Sequence, residues 1–190
     1  MNLEWVQSSD GEIPENAFET GAHDENGKTL FIARGIHADG IHPGRLGVGQ
    51  KGAHIPASGK EHLKTKYEVL ASIAGLYWKS TSVGDLPTYA VPTGHNIHKT
   101  PLYSAKGMID GYAVIGKYNY KDQKVLFPYG GLEHYRGPGE KIEILCFKVC
   151  SVCEPKQVAI IFPTSSQSHF KNQILFTGDL IYLNCNIQYT

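Results

Sequence analysis

The sequence predicts an all-β protein made of two related halves. Runs such as LFIAR, KVLFP and YEVL are rich in β-branched and aromatic residues and are bounded by Gly, Pro, Asn and Asp, which is typical of short strands between turns. Helical periodicity is scarce, and in IAGLYW the glycine and the aromatic residues favour a strand. Because these motifs recur in the same order, we expect two antiparallel β repeats related by a pseudo-twofold axis, plus a C-terminal β extension.

The duplication is visible as a nearly constant spacing between matching motifs. HIPASGKEH begins at His54 and LFPYGGLEH begins at Leu126, which is 72 residues later. Earlier in each half, EWVQSSDGEIPENAF matches YWKSTSVGDLPTYAV, and GAHDENGKTLFIARG matches GHNIHKTPLYSAKG. We therefore place the first repeat at residues 1–73, the second at 74–146 and the extension at 147–190.

The extension has two apolar segments with the character of strands. QVAIIF reads as a buried strand, and DLIYLNCNIQY alternates apolar and polar residues. We expect these strands to cover a sheet edge, or to pair with a second copy of the chain in a homodimer.

All the cysteines fall near or within this extension: Cys146, Cys150, Cys153 and Cys185. CFKVCSVC matches a CxxxCxxC pattern that can bind an iron–sulfur cluster or zinc. Strand cysteines that pack as small apolar side chains are the favoured interpretation. We therefore expect no cofactor and no metal ion.

Composition narrows the class of partner. Lys plus Arg and Asp plus Glu both number 18, so the chain lacks the basic surface that indicates a nucleic-acid partner. The first residues are acidic and no apolar run approaches the roughly 18 residues of a membrane span, so neither a secretory signal nor a span is predicted. We expect a cytoplasmic protein, with release by a non-classical route as an alternative.

The motifs Trp, G-x-I/L-P, LFIAR, PG-(R/K), GKEH and YEVL occur in the same order in both halves, with small variations. This order resembles the DM-nine repeat family, also called natterin-like, and within it the invertebrate mannose-binding lectins built from two such repeats. The resemblance covers residues 1 to about 146, and it implies that the two antiparallel β repeats are intertwined. It implies a lectin that recognises mannose or mannose-terminated glycans, such as microbial surface polysaccharides, in innate immunity and without a metal ion.

The resemblance also implies a sugar site, with a carboxylate before the LFIAR strand and a cation after a Pro-Gly turn. These positions are Asp24 and Arg45 in the first copy, and Asn96 and Lys117 in the second. Because Arg45 replaces a lysine and Asn96 carries no charge, we expect an altered first site and a weaker second one. The residues themselves leave another interpretation open, since AHDENGKT has the composition of a hairpin turn in which Asp24 would bond its own backbone.

Two Glu-His pairs, Glu61-His62 and Glu133-His134, suggest a hydrolase or a metal-binding enzyme as an alternative. Adjacent strand residues point to opposite faces, so each pair is poorly arranged to act on one substrate. We therefore expect no enzyme and no catalytic residues, with both glutamates accepting backbone hydrogen bonds. A structural or membrane-active natterin-like protein is the third alternative, although 44 residues are too few for a pore-forming module.

Overall fold

Strands account for all the regular structure in the computed structural model, which describes residues 3–148. Within that range there are fourteen strands, and no helix long and apolar enough to cross a membrane occurs there. The all-β prediction is confirmed.

The first seven strands are β1 (Trp5–Ser9), β2 (Glu19–His23), β3 (Thr29–His37), β4 (Gly40–Gly47), β5 (Ala53–Ala57), β6 (Lys60–Lys64) and β7 (Lys66–Leu70). The next seven are β8 (Leu76–Ser82), β9 (Pro92–His95), β10 (Pro101–Ile109), β11 (Tyr112–Asn119), β12 (Lys124–Tyr129), β13 (Leu132–Arg136) and β14 (Lys141–Phe147). LFIAR lies in β3, YEVL in β7, KVLFP in β12 and the second half of IAGLYW in β8, as predicted.

Hydrogen bonding joins twelve of these strands in the order β1-β7-β3-β4-β5-β6-β13-β12-β11-β10-β14-β8. The six strands of the first copy are followed by the equivalent strands of the second copy in reverse order, as a pseudo-twofold axis requires. The remaining two strands lie off this path: β2 pairs with β3, and β9 pairs with β10 and with β4 of the first copy. The pairing of β9 with β4 interlocks the copies.

The two copies meet where β6 lies beside β13, and the glutamates of the Glu-His pairs make this junction. The Glu61 carboxylate accepts a 2.7 Å hydrogen bond from the Gly131 backbone amide, and the Glu133 carboxylate accepts one of 2.7 Å from the Gly59 amide. His62 and His134 instead contact the carbonyls of Ala57 and Tyr129. The expectation that the glutamates satisfy backbone donors is confirmed.

Three clusters of buried side chains form the core. Each copy has a cluster of its own, exemplified by Val69 in the first and Ile144 in the second. The third cluster combines Leu30 and Ile32 of the first copy with Leu145 of the second, and both tryptophans pack against it. Because this apolar surface is shared, neither copy can bury all of its hydrophobic residues alone.

Of the four cysteines, only Cys146 lies in the part of the chain that the structure describes. It is a fully buried free thiol in β14, and burial raises its pKa above 9.0. This environment agrees with a small apolar packing role. The other three cysteines and the predicted strands of the extension lie outside the described residues.

Close approach of neighbouring backbones explains why both copies keep a glycine before the cation. A Cβ atom on Gly44 would lie 2.1 Å from the carbonyl oxygen of His54, and one on Gly116 would lie 2.1 Å from that of Leu126. Backbone atoms in a paired strand cannot move away without disrupting the sheet. Glycine therefore allows β4 and β11 to pass close to β5 and β12.

We predict that Gly116→Ala lowers the free energy of unfolding by roughly 2–4 kcal/mol, because the added methyl overlaps backbone. Gly44→Ala should cost a similar amount, since its surroundings are equivalent. Urea denaturation followed by circular dichroism measures both. A loss below about 0.5 kcal/mol, the range of ordinary surface substitutions, would contradict the proposed close approach.

Candidate functional site

Asp24 lies in the turn between β2 and β3, where its side chain holds the backbone. Its Oδ1 accepts hydrogen bonds of 2.9 Å from the amides of Asn26 and Lys28. The turn interpretation of Asp24 is therefore confirmed. The second oxygen, Oδ2, makes no hydrogen bond within residues 3–148, so the carboxylate has an oxygen available for a ligand.

Asn96 makes the same turn in the second copy. Its Oδ1 accepts hydrogen bonds of 2.9 and 3.0 Å from the amides of His98 and Thr100. Since amide and carboxylate hold the turn equally well, the difference between Asp24 and Asn96 is one of charge and of hydrogen-bond donors, not of local fold.

Arg45 lies on β4 with its side chain directed to the junction between the copies. Its Nε donates a 3.0 Å hydrogen bond to the Pro128 carbonyl, and its Nη2 donates one of 2.9 Å to Glu61 Oε1. The side chains of Arg45 and Glu61 are only 9% and 8% exposed, so this is a nearly buried ion pair. The protein thus fixes the edge of the guanidinium that carries Nε and Nη2.

The Glu61 carboxylate also receives His54, whose Nδ1 lies 2.8 Å from Oε1. Burial acts to raise the pKa of Glu61, but hydrogen bonds from His54 and Gly131 and the charge of Arg45 outweigh it, and the pKa falls below 4.5. Glu61 is consequently ionised at neutral pH and keeps Arg45 oriented.

Asp24 and Arg45 line the same cavity, which has a volume of about 300 Å³. Lys28 and Gln50 of the first copy and Tyr129 of the second also line it. A cavity of this size, with convergent charged and polar groups, is at the lower end of the range for small-molecule sites. The structure therefore brings together the two first-copy residues that the sequence predicted.

The sequence interpretation missed the other lining residues, and the polar ones among them include Glu25, Lys28, Gln50 and Tyr129. The Tyr129 hydroxyl donates a 2.9 Å hydrogen bond to Glu25 Oε2, so the rim joins the two copies. This bond, followed by desolvation and the charge of Glu25, raises the pKa of Tyr129 above 10.0 and keeps the phenol protonated. The alignment of the two copies contained one indication of this residue. Tyr129 occupies the position at which the first copy has the much smaller Ala57.

The second copy is arranged differently around its cation. Lys117 is buried, and its Nζ lies 3.0 Å from Nδ1 of His42, a residue of the first copy. The residue equivalent to His42 in the second copy is Val114, which lines the first-copy cavity. Arg45 therefore has no histidine in the place that His42 takes beside Lys117. Burial lowers the pKa of Lys117 to about 8. Lys117 is therefore not positioned as Arg45 is.

Other second-copy residues also differ from the first site. Ala57 replaces Tyr129, and Ile97, which is 54% exposed, replaces Glu25. The structure thus leaves Asn96 and Lys117 without the aromatic and acidic groups that flank Asp24 and Arg45. The surroundings of the two cations therefore differ by more than the missing charge of Asn96.

A protein family is recognisable from these features. The family model described as the DM9 repeat matches residues 1–57 and 24–136, which together span more than half of the chain. The chain belongs to the DM9 repeat family. No curated protein matches its sequence.

A solved structure supports the fold of this DM9 repeat protein. It is similar to the nematode sperm cell motility protein MFP2B, with a TM-score of 0.64 and 19% sequence identity. The similarity covers 80% of this chain and 48% of that one, so the DM9 repeat protein spans about half the length of its structural neighbour. At this identity the likeness shows a shared fold alone.

We predict unequal costs for the two equivalent glutamates of the DM9 repeat protein. Glu61→Gln should lower the free energy of unfolding by about 2–3 kcal/mol, because it removes the charge partner of a nearly buried arginine. Glu133→Gln should cost about 1 kcal/mol or less, because it weakens the hydrogen bond to Gly59 and removes a charge that acts on Lys117 without a direct ion pair. Urea denaturation of both variants provides the comparison, and equal losses would show that the Arg45 ion pair contributes nothing.

A second prediction concerns acid. Burial, followed by the charges of Lys117, His37, His95 and Lys64, lowers the pKa of His42 from 6.5 to about 4. His42 therefore takes up a proton at a higher pH in the unfolded chain than in the folded protein. As the pH falls from 6.5 to 4, stability should decrease by roughly 2 kcal/mol after allowance for solvent screening.

Denaturation at neutral pH and at a pH between these two values measures the effect. His42→Val, which introduces the residue that the second copy has there, should flatten the decline. If the decline keeps its full size in this variant, groups other than His42 cause it.

Proposed function

We propose that the protein is a lectin that binds mannose or mannose-terminated glycans in the first-copy cavity without a metal ion. We further propose that this binding serves the recognition of microbial surfaces. The observation that carries the proposal is the meeting of Asp24 and Arg45 in one cavity of about 300 Å³.

The groups of the cavity suit a hexose, whose hydroxyls are both donors and acceptors. Asp24 Oδ2 can accept two hydrogen bonds, while the guanidinium of Arg45 and the ammonium of Lys28 can donate. Because Glu61 and Pro128 fix Arg45 before any ligand arrives, little side-chain entropy is lost on binding. Tyr129 adds an aromatic wall on which the apolar face of a sugar ring can rest.

The strength of such a site follows from a few bonds. Hydrogen bonds to charged groups contribute roughly 1.5–3 kcal/mol each, and neutral ones about 1 kcal/mol. After the entropy of association is subtracted, a monosaccharide should bind with about 4–8 kcal/mol, which is in the millimolar to micromolar range.

The second copy should contribute little. Lys117 is buried against His42, and a sugar would have to displace this contact to reach the ammonium. Ala57 and Ile97 offer neither an aromatic wall nor a carboxylate. We therefore expect one effective mannose site per chain.

The test introduces at position 24 the residue that the second copy has at the equivalent position. Asp24→Asn should leave the turn intact, since Asn96 makes the same two backbone hydrogen bonds. It should weaken mannose binding by about fivefold or more, because a charged hydrogen bond is replaced by a neutral one. Calorimetric titration with methyl mannoside measures the affinity, and thermal unfolding verifies the fold.

Asn96→Asp is the matched control and should leave affinity and stoichiometry unchanged, because Lys117 is held by His42. Excess chelator should also leave the affinity of the parent protein unchanged. Equal affinities in Asp24→Asn and the parent would contradict the site, and a large loss in chelator would contradict the metal-free mechanism.

A further inference from the structure

A second concave surface lies in the second copy, on the face formed by β8, β10 and β14. This groove has a volume of about 750 Å³ and is larger than the mannose cavity. Its polar and charged lining includes Ser80, Thr81, Lys106, Arg136, Lys141 and Glu143. The proposed mannose site uses none of these residues.

The equivalent surface of the first copy is filled by its own side chains. Gln7 donates a 2.9 Å hydrogen bond to Glu68 Oε1, and Arg34 donates one of 2.6 Å to Glu68 Oε2. The Arg34 guanidinium also lies 3.9 Å from the centre of the Trp5 ring and bonds the Thr93 carbonyl at 3.4 Å. Both oxygens of Glu68 are therefore occupied.

Smaller residues open this surface in the second copy. Ser80 stands where the first copy has Gln7, Lys106 replaces Arg34, and Ala113 replaces Ile41. Lys106 Nζ contacts Glu143 Oε2 at 2.8 Å, but within residues 3–148 no side chain bonds Oε1 of Glu143 as Gln7 bonds Glu68. The Glu143 side chain is 36% exposed, against 22% for Glu68.

The charges around the groove favour an anion. Three lining residues are cationic and one is acidic, and Glu140 beside the groove pairs with Arg136, which leaves an excess of one positive charge. Arg136 is held by Glu140 at 3.2 Å and by the Met108 carbonyl at 3.1 Å. Within the described residues 3–148, Lys141 Nζ donates only to the Ser82 hydroxyl, at 3.1 Å, and that bond does not neutralise its charge.

The remaining groups favour a polyhydroxylated ring. Glu143 Oε1 and the hydroxyl of Ser80, which lie opposite each other on paired strands, can bond sugar hydroxyls. Met108, which is 56% exposed, and Ala113 supply an apolar surface for the ring face. A plain anion would use the lysines but leave these groups unpaired.

We propose that this groove is a second carbohydrate site, specific for a saccharide that carries a carboxylate or a sulfate. The anionic group pairs with Lys141 beside Lys106, and the hydroxyls bond Glu143 and Ser80. The linings of the groove and of the mannose cavity share Ala113 alone, so either proposal can fail without the other.

The experiment is a titration of the ¹⁵N-labelled protein with three probes: sodium glucuronate, glucose 6-sulfate and glucose, with sodium sulfate as an ion control. Both acidic sugars should shift the amides of Ser80, Lys106 and Glu143 with similar affinity. Glucose and sulfate should bind at least about tenfold more weakly, because each lacks one half of the recognised chemistry.

Ser80→Gln should close the groove, because the glutamine can bond Glu143 Oε1 as Gln7 bonds Glu68 Oε1. It should reduce glucuronate binding about tenfold or more, whereas the matched variant Gln7→Ser in the first copy should not. Lys141→Ala should reduce the affinity for glucuronate towards that for glucose. Asp24→Asn should leave glucuronate binding unchanged.

Three outcomes would overturn the proposal. Sulfate that binds as tightly as glucuronate would show a simple anion site, and glucose that binds as tightly would show that the cations are not used. A Ser80→Gln variant that is folded, as verified by its amide spectrum, and keeps full affinity would show that the acidic sugar binds elsewhere.

Discussion

The Glu61 carboxylate holds the first site and the junction between the copies at the same time. One oxygen accepts the Gly131 amide of the second copy, and the other receives Arg45 and His54. A nearly buried arginine without this partner would carry an uncompensated desolvation cost of several kcal/mol. The orientation of the guanidinium therefore depends on two copies meeting edge to edge, and one repeat alone cannot build the site.

The duplicated copies reach the same packing with exchanged side chains. In the first copy Tyr67 of β7 bonds the Gly11 amide at 2.9 Å, whereas in the second Tyr118 of β11 bonds the equivalent Gly84 amide at 3.0 Å. Each tyrosine is matched by an aliphatic residue at the corresponding position of the other copy. The core thus keeps its volume and its turn contact while individual positions diverge, which is the kind of change that cores tolerate best.

Divergence of polar residues has larger consequences, because it changes what each surface can bind. His42 contacts Lys117, the cation of the second copy. The small Ser80 side chain leaves Glu143 more exposed, whereas both oxygens of its first-copy counterpart, Glu68, accept hydrogen bonds. The two copies therefore present a polar cavity in one half and an open basic groove in the other. The shared core leaves these surfaces free to differ, since its stability depends on buried apolar contacts and not on them.

The sequence by itself determined the strands, the duplication, and the pair of residues, Asp24 and Arg45, that share a cavity. The strands and the duplication follow from period-2 patterns, turn composition and repeated motifs, all of which act over a few residues or repeat along the chain. The pair was predicted from the resemblance of these motifs to the DM9 repeat family. Only the tertiary structure decided the partners of the buried charges. Arg45 meets Pro128, which is 83 residues away, and Lys117 meets a histidine that is 75 residues away. Which polar group faces a buried cation depends on how the two copies approach each other, and no local pattern encodes that approach.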